Sequence, residues 1–454
     1  MTNNISIDWY IDKLADTSTR GIARDMAHLI RCGDIPLGTK LPAVRDLAEA
    51  MSVSPATISA AWSQLRRFHV INGRGRNGVW VTGDRASLRP IRFETEIAGH
   101  FGDRIIANLT LAPPDADLLP DLNQALAYGA KAQNLNSYDR EPITENLSRV
   151  VASRWPYHPE SYLALNGGIE AVYTVLRTLV MPGTMVAIEN PTATRLLDIL
   201  EGLGANIVPV ACDAHGPIPS SLKSALQDGA GIFLFQPRTN TTTGHVVTLT
   251  RLKALADELK SHQALIIEDD GLGDLSAVPP ASIGQWLPLR TVHIVSYSKS
   301  LGPDLRVAVL SCTGEIAQQI RSYRNFGASW TSRILQDAVA WLMEDAATQD
   351  AITEARSVYY KRRMRLVDEL SLRGVEVSGV DGLSVWLRVP DEQTALVNMA
   401  LRGFPILPGN QFSLNLPDHY IRVATSRLSE HYEAIAEAIK ICVNLGSGKE
   451  GRRF

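Results

Sequence analysis

Cysteine is scarce: Cys32, Cys212, Cys312 and Cys442 are the only four in 454 residues, far apart and never in a CxxC spacing. That pattern offers neither a disulfide framework nor a zinc site, and predicts reduced, mostly buried thiols and no bound metal. The sequence has no apolar h-region near its start and no run of about twenty apolar residues. The expectation is a cytoplasmic protein, neither secreted nor held in a membrane. Low-complexity tracts and internal repeats are missing too, which excludes a long disordered tail and a solenoid. What remains is ordinary globular composition, with 45% hydrophobic and 20% charged residues, at a length that calls for two or three domains.

The net charge of −3 hides an asymmetry: residues 1–92 carry +5, and the rest −8. Residues 61–92 hold seven arginines against the single Asp84. A basic end on an acidic chain points to an anionic partner for that end, nucleic acid first. The hydrophobic pattern agrees. "TSTRGIARDMAHLIR" (17–31) places Ile22, Met26, Leu29 and Ile30 on one helical face. "AVRDLAEAM" is a short second helix, with Val44, Leu47, Ala48 and Met51 inward. Ser54 and Pro55 then open a third, "ATISAAWSQLRRF", as N-cap and first helical residue. "VINGRGRNGVWVTG" reads as two short strands around a turn rich in Gly and Arg. Helix, helix, turn, helix, hairpin is the order of a winged helix-turn-helix. In that arrangement the third helix meets base edges with Ser54, Thr57, Ser59 and Ser63, while Arg45, Arg66, Arg67, Arg74 and Arg76 take phosphates or the minor groove. A three-helix module without DNA affinity would keep the same apolar pattern, but it would not need the arginine-rich turn.

"GDIPLGTKLPAVRDLAEAMSVSPATISAAWSQL" resembles the GntR-type winged-helix regulators, and the likeness runs over residues 17–82. One departure is Pro55, where that family commonly has Arg. The lost phosphate contact shifts the burden to Arg45 and the wing.

Residues 83–105 have mixed charge and no period, and read as a linker whose later part packs on the next domain. From 106 to 454, strand-like runs alternate with helical segments. "YLALN", "TMVAIEN", "NIVPVAC", "GIFLFQP", "ALIIEDD", "TVHIVSYS" and "RVAVLSC" are the strands. This predicts an α/β domain with a largely parallel sheet covered on both faces, followed by a small α+β lobe containing "SVWLRV" and "YIRVATS". Ligands of such sheets bind at the carboxyl ends of the strands. There stand Asn166, Gly167 and Gly168 before a helix, the acids Glu268, Asp269 and Asp270, and Ser296, Ser298 and Lys299 with Arg306 beyond. Phosphate donors, a carboxylate and a lysine that can be desolvated are what pyridoxal phosphate requires.

The region 106–445 resembles the fold-type I aminotransferases. The resemblance implies that "YSKSLGPDLRVAVL" supplies the Schiff-base Lys299, with Ser296, Ser298 and Arg306 on the phosphate. "IIEDD" would place Asp269 on the pyridine nitrogen, and "NGGIEA" would be the phosphate cup. "NSYDR" would send Tyr138 to a neighbouring subunit's phosphate, and "YIRVA" would give Arg422 to a substrate α-carboxylate. Three departures matter. Gly271 stands where a tyrosine commonly bonds the 3′-oxygen. "QPRTNTTTG" replaces an Asn-Pro-Thr-Gly motif, leaving Asn240 or Thr241 as the second 3′-oxygen partner. Ala193 replaces the ring-stacking aromatic, at ~1 kcal/mol or more of cofactor affinity. These changes argue against efficient transamination more than against binding.

A GntR-like winged helix followed by an aminotransferase-like domain is similar to the MocR subfamily of bacterial regulators. That resemblance implies a homodimer, head-to-tail and domain-swapped, bound to double-stranded operator DNA. It also implies control by pyridoxal phosphate itself or by an amino compound joined to it at Lys299, in a domain used for sensing rather than turnover. Two other readings stay open: a true aminotransferase with an attached DNA module, and a DNA-binding protein whose large domain has lost the cofactor and only dimerises.

Overall fold

The computed structural model describes residues 5–14, 16–36, 38–67, 70–73, 78–81, 90–94 and 105–444. Two compact units divide the chain, residues 1–89 and 90–454.

The first unit contains α1 (Ile7–Lys13), α2 (Thr19–Cys32), α3 (Val44–Ala50), α4 (Pro55–Arg67) and the antiparallel strands β1 (Ile71–Asn72) and β2 (Trp80–Val81). Apolar spacing makes the three main helices. Ile22 and Met26 of α2, Leu47 of α3, and Ile58, Trp62 and Leu65 of α4 share one core with Ile71 and Val81 of the hairpin. The Ser54 hydroxyl accepts from the Thr57 amide at 3.1 Å, capping α4 as its sequence predicts. α1 is an addition to the expected order: Tyr10 and Leu14 bury against this core, and Ser6 caps it.

The second unit is built on an eight-stranded sheet in the order β3 (Ser161–Leu165), β10 (Ala308–Cys312), β9 (Thr291–Ser296), β8 (Leu265–Asp270), β7 (Ile232–Phe235), β4 (Met185–Asn190), β5 (Asn206–Asp213), β6 (Gly216–Pro217). β9, β8, β7, β4 and β5 run parallel, while β10 is antiparallel to both β3 and β9. The sheet is therefore mixed. All seven strand runs read from the sequence are strands. Alternate side chains face opposite ways, and both faces are apolar. Val186, Ile188, Leu234, Ile267, Val292 and Leu310 bury against the helices Gly168–Leu179, Thr194–Gly202 and Gly314–Arg324. Ala187, Phe233, Phe235 and Ile266 bury against Pro219–Gln227 and Leu249–Lys260.

The small lobe is an antiparallel sheet, β11 (Ser384–Val389), β13 (His419–Ala424) and β12 (Leu407–Pro408), covered by the helices Ala346–Leu372, Glu392–Leu401 and Tyr432–Asn444. Within the linker expected over 83–105, the described residues include a helix, α5 (Ile91–Glu94), which packs on Thr194–Gly202. No helix among the described residues is long and apolar enough to cross a membrane.

Candidate functional site

The carboxyl ends of β3, β4, β8 and β9 gather the polar residues expected there. β8 and β9 are paired with Asp269 opposite Ile294 and Asp270 opposite Val295, so the acids end one residue short of Ser296. Of the three acids at the end of β8, two are spent within the protein. Glu268 accepts from the Ser282 hydroxyl and the Ile283 amide and pairs with His293 Nδ1 at 2.7 Å. Asp270 holds Arg238, whose Nε lies 2.8 Å from Oδ2, in a pair almost wholly out of solvent. Asp269 is buried and accepts no hydrogen bond among the described residues. Burial, reinforced by the like charge of Asp270, pushes its carboxyl from 3.8 up to about 7, with His293 opposing. A buried acid without a donor is what a cationic ring nitrogen would satisfy.

Lys299 lies in the loop after β9. Burial first, then the cation of Arg422, brings its amine down from 10.5 to about 8. The amine donates to the Ala112 carbonyl at 2.7 Å. Arg422, on β13, is itself desolvated, to about 10. It donates to the Ser384 hydroxyl and to the Thr110 carbonyl, both at 3.2 Å, and its guanidinium lies 5.3 Å from the Phe412 ring centre.

The cup at the end of β3 is shaped for close approach. Gly167 sits at φ 103°, and a Cβ there would lie 2.7 Å from Arg306 Nη2. A Cβ on Gly168 would lie 2.7 Å from that of Ser296. Arg306 has the left-handed φ of 50° and donates to the Asn166 carbonyl at 2.8 Å. The Ser296 and Ser298 hydroxyls are 3.0 Å apart. Glycines, two hydroxyls, a guanidinium and the first amides of the Gly168–Leu179 helix make a phosphate-sized anion cradle. These residues and Asp269 fit pyridoxal phosphate.

The departures also have a structural expression. A Cβ on Gly271 would meet nothing nearer than the Asp269 carboxylate at 3.7 Å, so the missing tyrosine is not forced by crowding. Asn240, expected as a 3′-oxygen partner, also bonds its own loop. Its amide nitrogen donates to the Pro191 carbonyl, and its oxygen accepts from the Thr242 and Thr243 amides. The Thr241 hydroxyl gives its single proton to Gln236 Oε1 at 2.7 Å. One of the two Asn240 amide protons is thus committed to Pro191, and the Thr241 hydroxyl proton to Gln236. Tyr138 is 88% exposed and rests edge-on against Trp330, 5.9 Å between centres.

Two side chains at this rim carry chemistry that the sequence pattern does not mark. Glu189, at the end of β4, is fully buried. Burial holds its carboxyl at about 8, against donation from Gln236. Arg195, two residues past Ala193, is held below the usual arginine range first by burial and then by the like charge of Arg306. The one signal for Arg195 is its position, a cation in the first turn of a helix, where the dipole disfavours it.

In the first unit, Arg45, Ser54, Ser59 and Ser63 are exposed, and Thr57 and Arg66 are half-buried. The Ser54 and Thr57 hydroxyls are 2.9 Å apart, and Arg66 donates to Ser63 at 3.2 Å. Arg74, Arg76 and the side chain of Arg67 lie outside the described residues. Lys40, a further cation of this unit, lies 5.5 Å from the Trp80 ring centre at the foot of the hairpin.

Residues 105–439 match the family "aminotransferase class I and II", and residues 18–81 match "bacterial regulatory proteins, gntR family". The chain is 30% identical to the vitamin B6 salvage pathway transcriptional repressor PtsJ of Salmonella typhimurium over 416 residues, which is 89% of this chain and 93% of that protein. It is 23% identical to the transcriptional regulator TauR of Rhodobacter capsulatus over 83% of this chain and 85% of that one. Kynurenine aminotransferase of Pyrococcus horikoshii superposes with a TM-score of 0.68 at 18% identity, covering 77% of this chain and 92% of that one.

Proposed function

The chain belongs to the MocR group of transcriptional regulators, a gntR-family winged helix followed by an aminotransferase class I and II domain, and from that premise we propose that its large unit senses pyridoxal phosphate, alone or joined to an amino compound. Residues 1–82 read the operator, 83–105 link, and 106–454 hold the ligand and pair two copies into a domain-swapped homodimer in the cytoplasm. The exposed rings of Tyr138 and Phe326, 88% and 92% accessible, support a surface that a second copy covers.

The observation that carries the reading is the division of labour at the end of β8. Glu268 and Asp270 are spent on the protein, and Asp269 is left buried without a donor. Facing the same rim is an amine held at about 8, so about a tenth of it is neutral near pH 7, far more than of an ordinary lysine. Bound there, the cofactor supplies an aldehyde for that amine and a ring that draws electrons. Lys299 provides the nucleophile, Asp269 the counter-charge, and Arg306 with Ser296, Ser298 and the Gly167–Gly168 amides the anion cradle. Arg422 offers a guanidinium to a carboxylate, which supports an amino acid or similar amine as co-ligand. No aromatic stands at Ala193, no tyrosine at Gly271, and the Thr241 hydroxyl proton is committed to Gln236. A site that binds the ring but gives its oxygen fewer partners suits recognition better than turnover.

Purified protein mixed with pyridoxal phosphate should show a visible absorbance band that borohydride bleaches and that Lys299→Ala lacks. Conversion of amino acid to keto acid at ordinary enzyme rates would instead favour an aminotransferase with an attached DNA module.

A further inference from the structure

Arg195 is the second residue of the Thr194–Gly202 helix, at the positive end of its peptide dipoles. A guanidinium there is unfavourable unless an anion shares the place. Burial and the cation of Arg306 both hold its pKa below the usual arginine range, with Asp198 opposing. Among the described residues it makes no hydrogen bond and no ion pair. Its one close contact of note is the ring of Phe93, 4.6 Å from the guanidinium carbon to the ring centre.

Phe93 belongs to α5, which is fastened to the same helix. The Arg92 and Phe93 amides donate to the two carboxylate oxygens of Asp198 at 3.0 and 3.1 Å. Arg92 Nη2 pairs with Glu201 at 2.6 Å, and Nη1 donates to the Asn410 and Ser413 carbonyls. Only residues 82–91 separate Arg92 from Val81, the end of the DNA-reading hairpin.

We propose that Arg195 is a second cationic ligand of the phosphate cup beside Arg306, and that through Phe93 it ties occupancy of the cup to the docking of the chain leading to the DNA reader. The inference rests on the reading of the cup as the phosphate site of pyridoxal phosphate. A guanidinium binds anions at its edge and aromatic rings on its face, so Arg195 can serve both partners at once. A dianion between Arg195 and Arg306 replaces their repulsion with attraction and fixes the plane on which Phe93 stacks. Linkage is reciprocal: whatever the anion contributes to the Phe93 contact, that contact returns to anion affinity.

The test uses the full chain, with pyridoxal phosphate affinity read from the visible band and hydrogen exchange read at the Arg92 and Phe93 amides. Arg195→Ala should weaken binding about tenfold, the loss of one charge-assisted contact. Phe93→Ala, which touches no ligand, should weaken it about threefold, and the double variant should be no worse than Arg195→Ala, as coupled residues require. Ligand should slow exchange at both amides in the parent protein and not in Arg195→Ala. Arg195→Lys should recover affinity without recovering protection, because an ammonium has no face to stack. Parent-like binding by Arg195→Ala, additive effects in the double variant, or ligand-independent exchange in the parent protein would each overturn the proposal. If the parent protein gives no Lys299-dependent band, the cofactor reading fails. Inorganic phosphate then becomes the probe of the link: slowed exchange at the two amides supports it, and unchanged exchange overturns it.

Discussion

The Lys299 amine donates to the backbone carbonyl of Ala112 at 2.7 Å, so the proposed nucleophile of the large unit is held by the chain segment that enters it. Arg422 donates to the Thr110 carbonyl two residues earlier in that segment. A ligand that uses the amine or the guanidinium takes over one of these bonds, and residues 110–112 are therefore where occupancy is first felt.

A carboxylate-bearing amine should compete with Thr110 for Arg422. Arg422→Met should keep the visible band with pyridoxal phosphate and lose the spectral response to added amino acids. Because Lys299 is depressed partly by Arg422, the same variant should raise the pH at which the free amine titrates. A reductive-alkylation rate profile against pH measures this.

The cup tolerates no side chain at Gly168. A methyl 2.7 Å from the Ser296 Cβ forces the two strand ends apart. Gly168→Ala should weaken pyridoxal phosphate binding tenfold or more while leaving DNA binding by the first unit intact. Equilibrium titration of both ligands checks the contrast.

Two buried acids set a pH dependence. Asp269 is raised from 3.8 to about 7 and Glu189 from 4.5 to about 8. In that window the folded chain holds protons that the unfolded chain has released, so stability falls as pH rises from about 4 to about 8. Asp269→Asn should flatten the lower part of this slope, and with Glu189→Gln added, most of it. Thermal midpoints of the cofactor-free protein across pH 4–8 show the effect.

In the DNA reader, Arg45→Ala should weaken operator binding and reduce the salt slope by about one, as the loss of one phosphate contact requires. Ser54→Ala removes the hydroxyl that caps α4 and should cost about 1 kcal/mol of that unit's stability. Fluorescence anisotropy over a salt series and denaturant melting of the full chain separate the two.

The sheet was legible because its seven runs are dense in consecutive apolar residues, a pattern that buried strands impose. The winged helix was legible for the same reason: Ile58, Trp62 and Leu65 have a helical period and nowhere else to go. The direction of β10 was not legible, since pairing sense depends on where the chain returns rather than on the residues of the strand. α1 was not legible because it precedes the helix order of a winged helix-turn-helix, the order that marks the equally short α3. Asn240 carries no sequence signal of its own, because an amide suits a cofactor oxygen and a loop carbonyl equally well, and the folded loop gives one of its protons to Pro191. Arg195 was hidden for the opposite reason. Its partners, Phe93 and Arg306, lie 102 and 111 residues away in sequence and come together only through tertiary packing.

The central claim is that ligand at Lys299 changes DNA binding, and one titration tests it most directly. The full chain is mixed with its own upstream DNA, pyridoxal phosphate is added with and without candidate amines, and the absorbance band and DNA affinity are followed together. The account predicts that DNA affinity shifts over the same concentration range in which the band develops, and that Lys299→Ala binds DNA but shows neither change. A band that saturates while DNA affinity stays constant, or a shift that persists in Lys299→Ala, would contradict it.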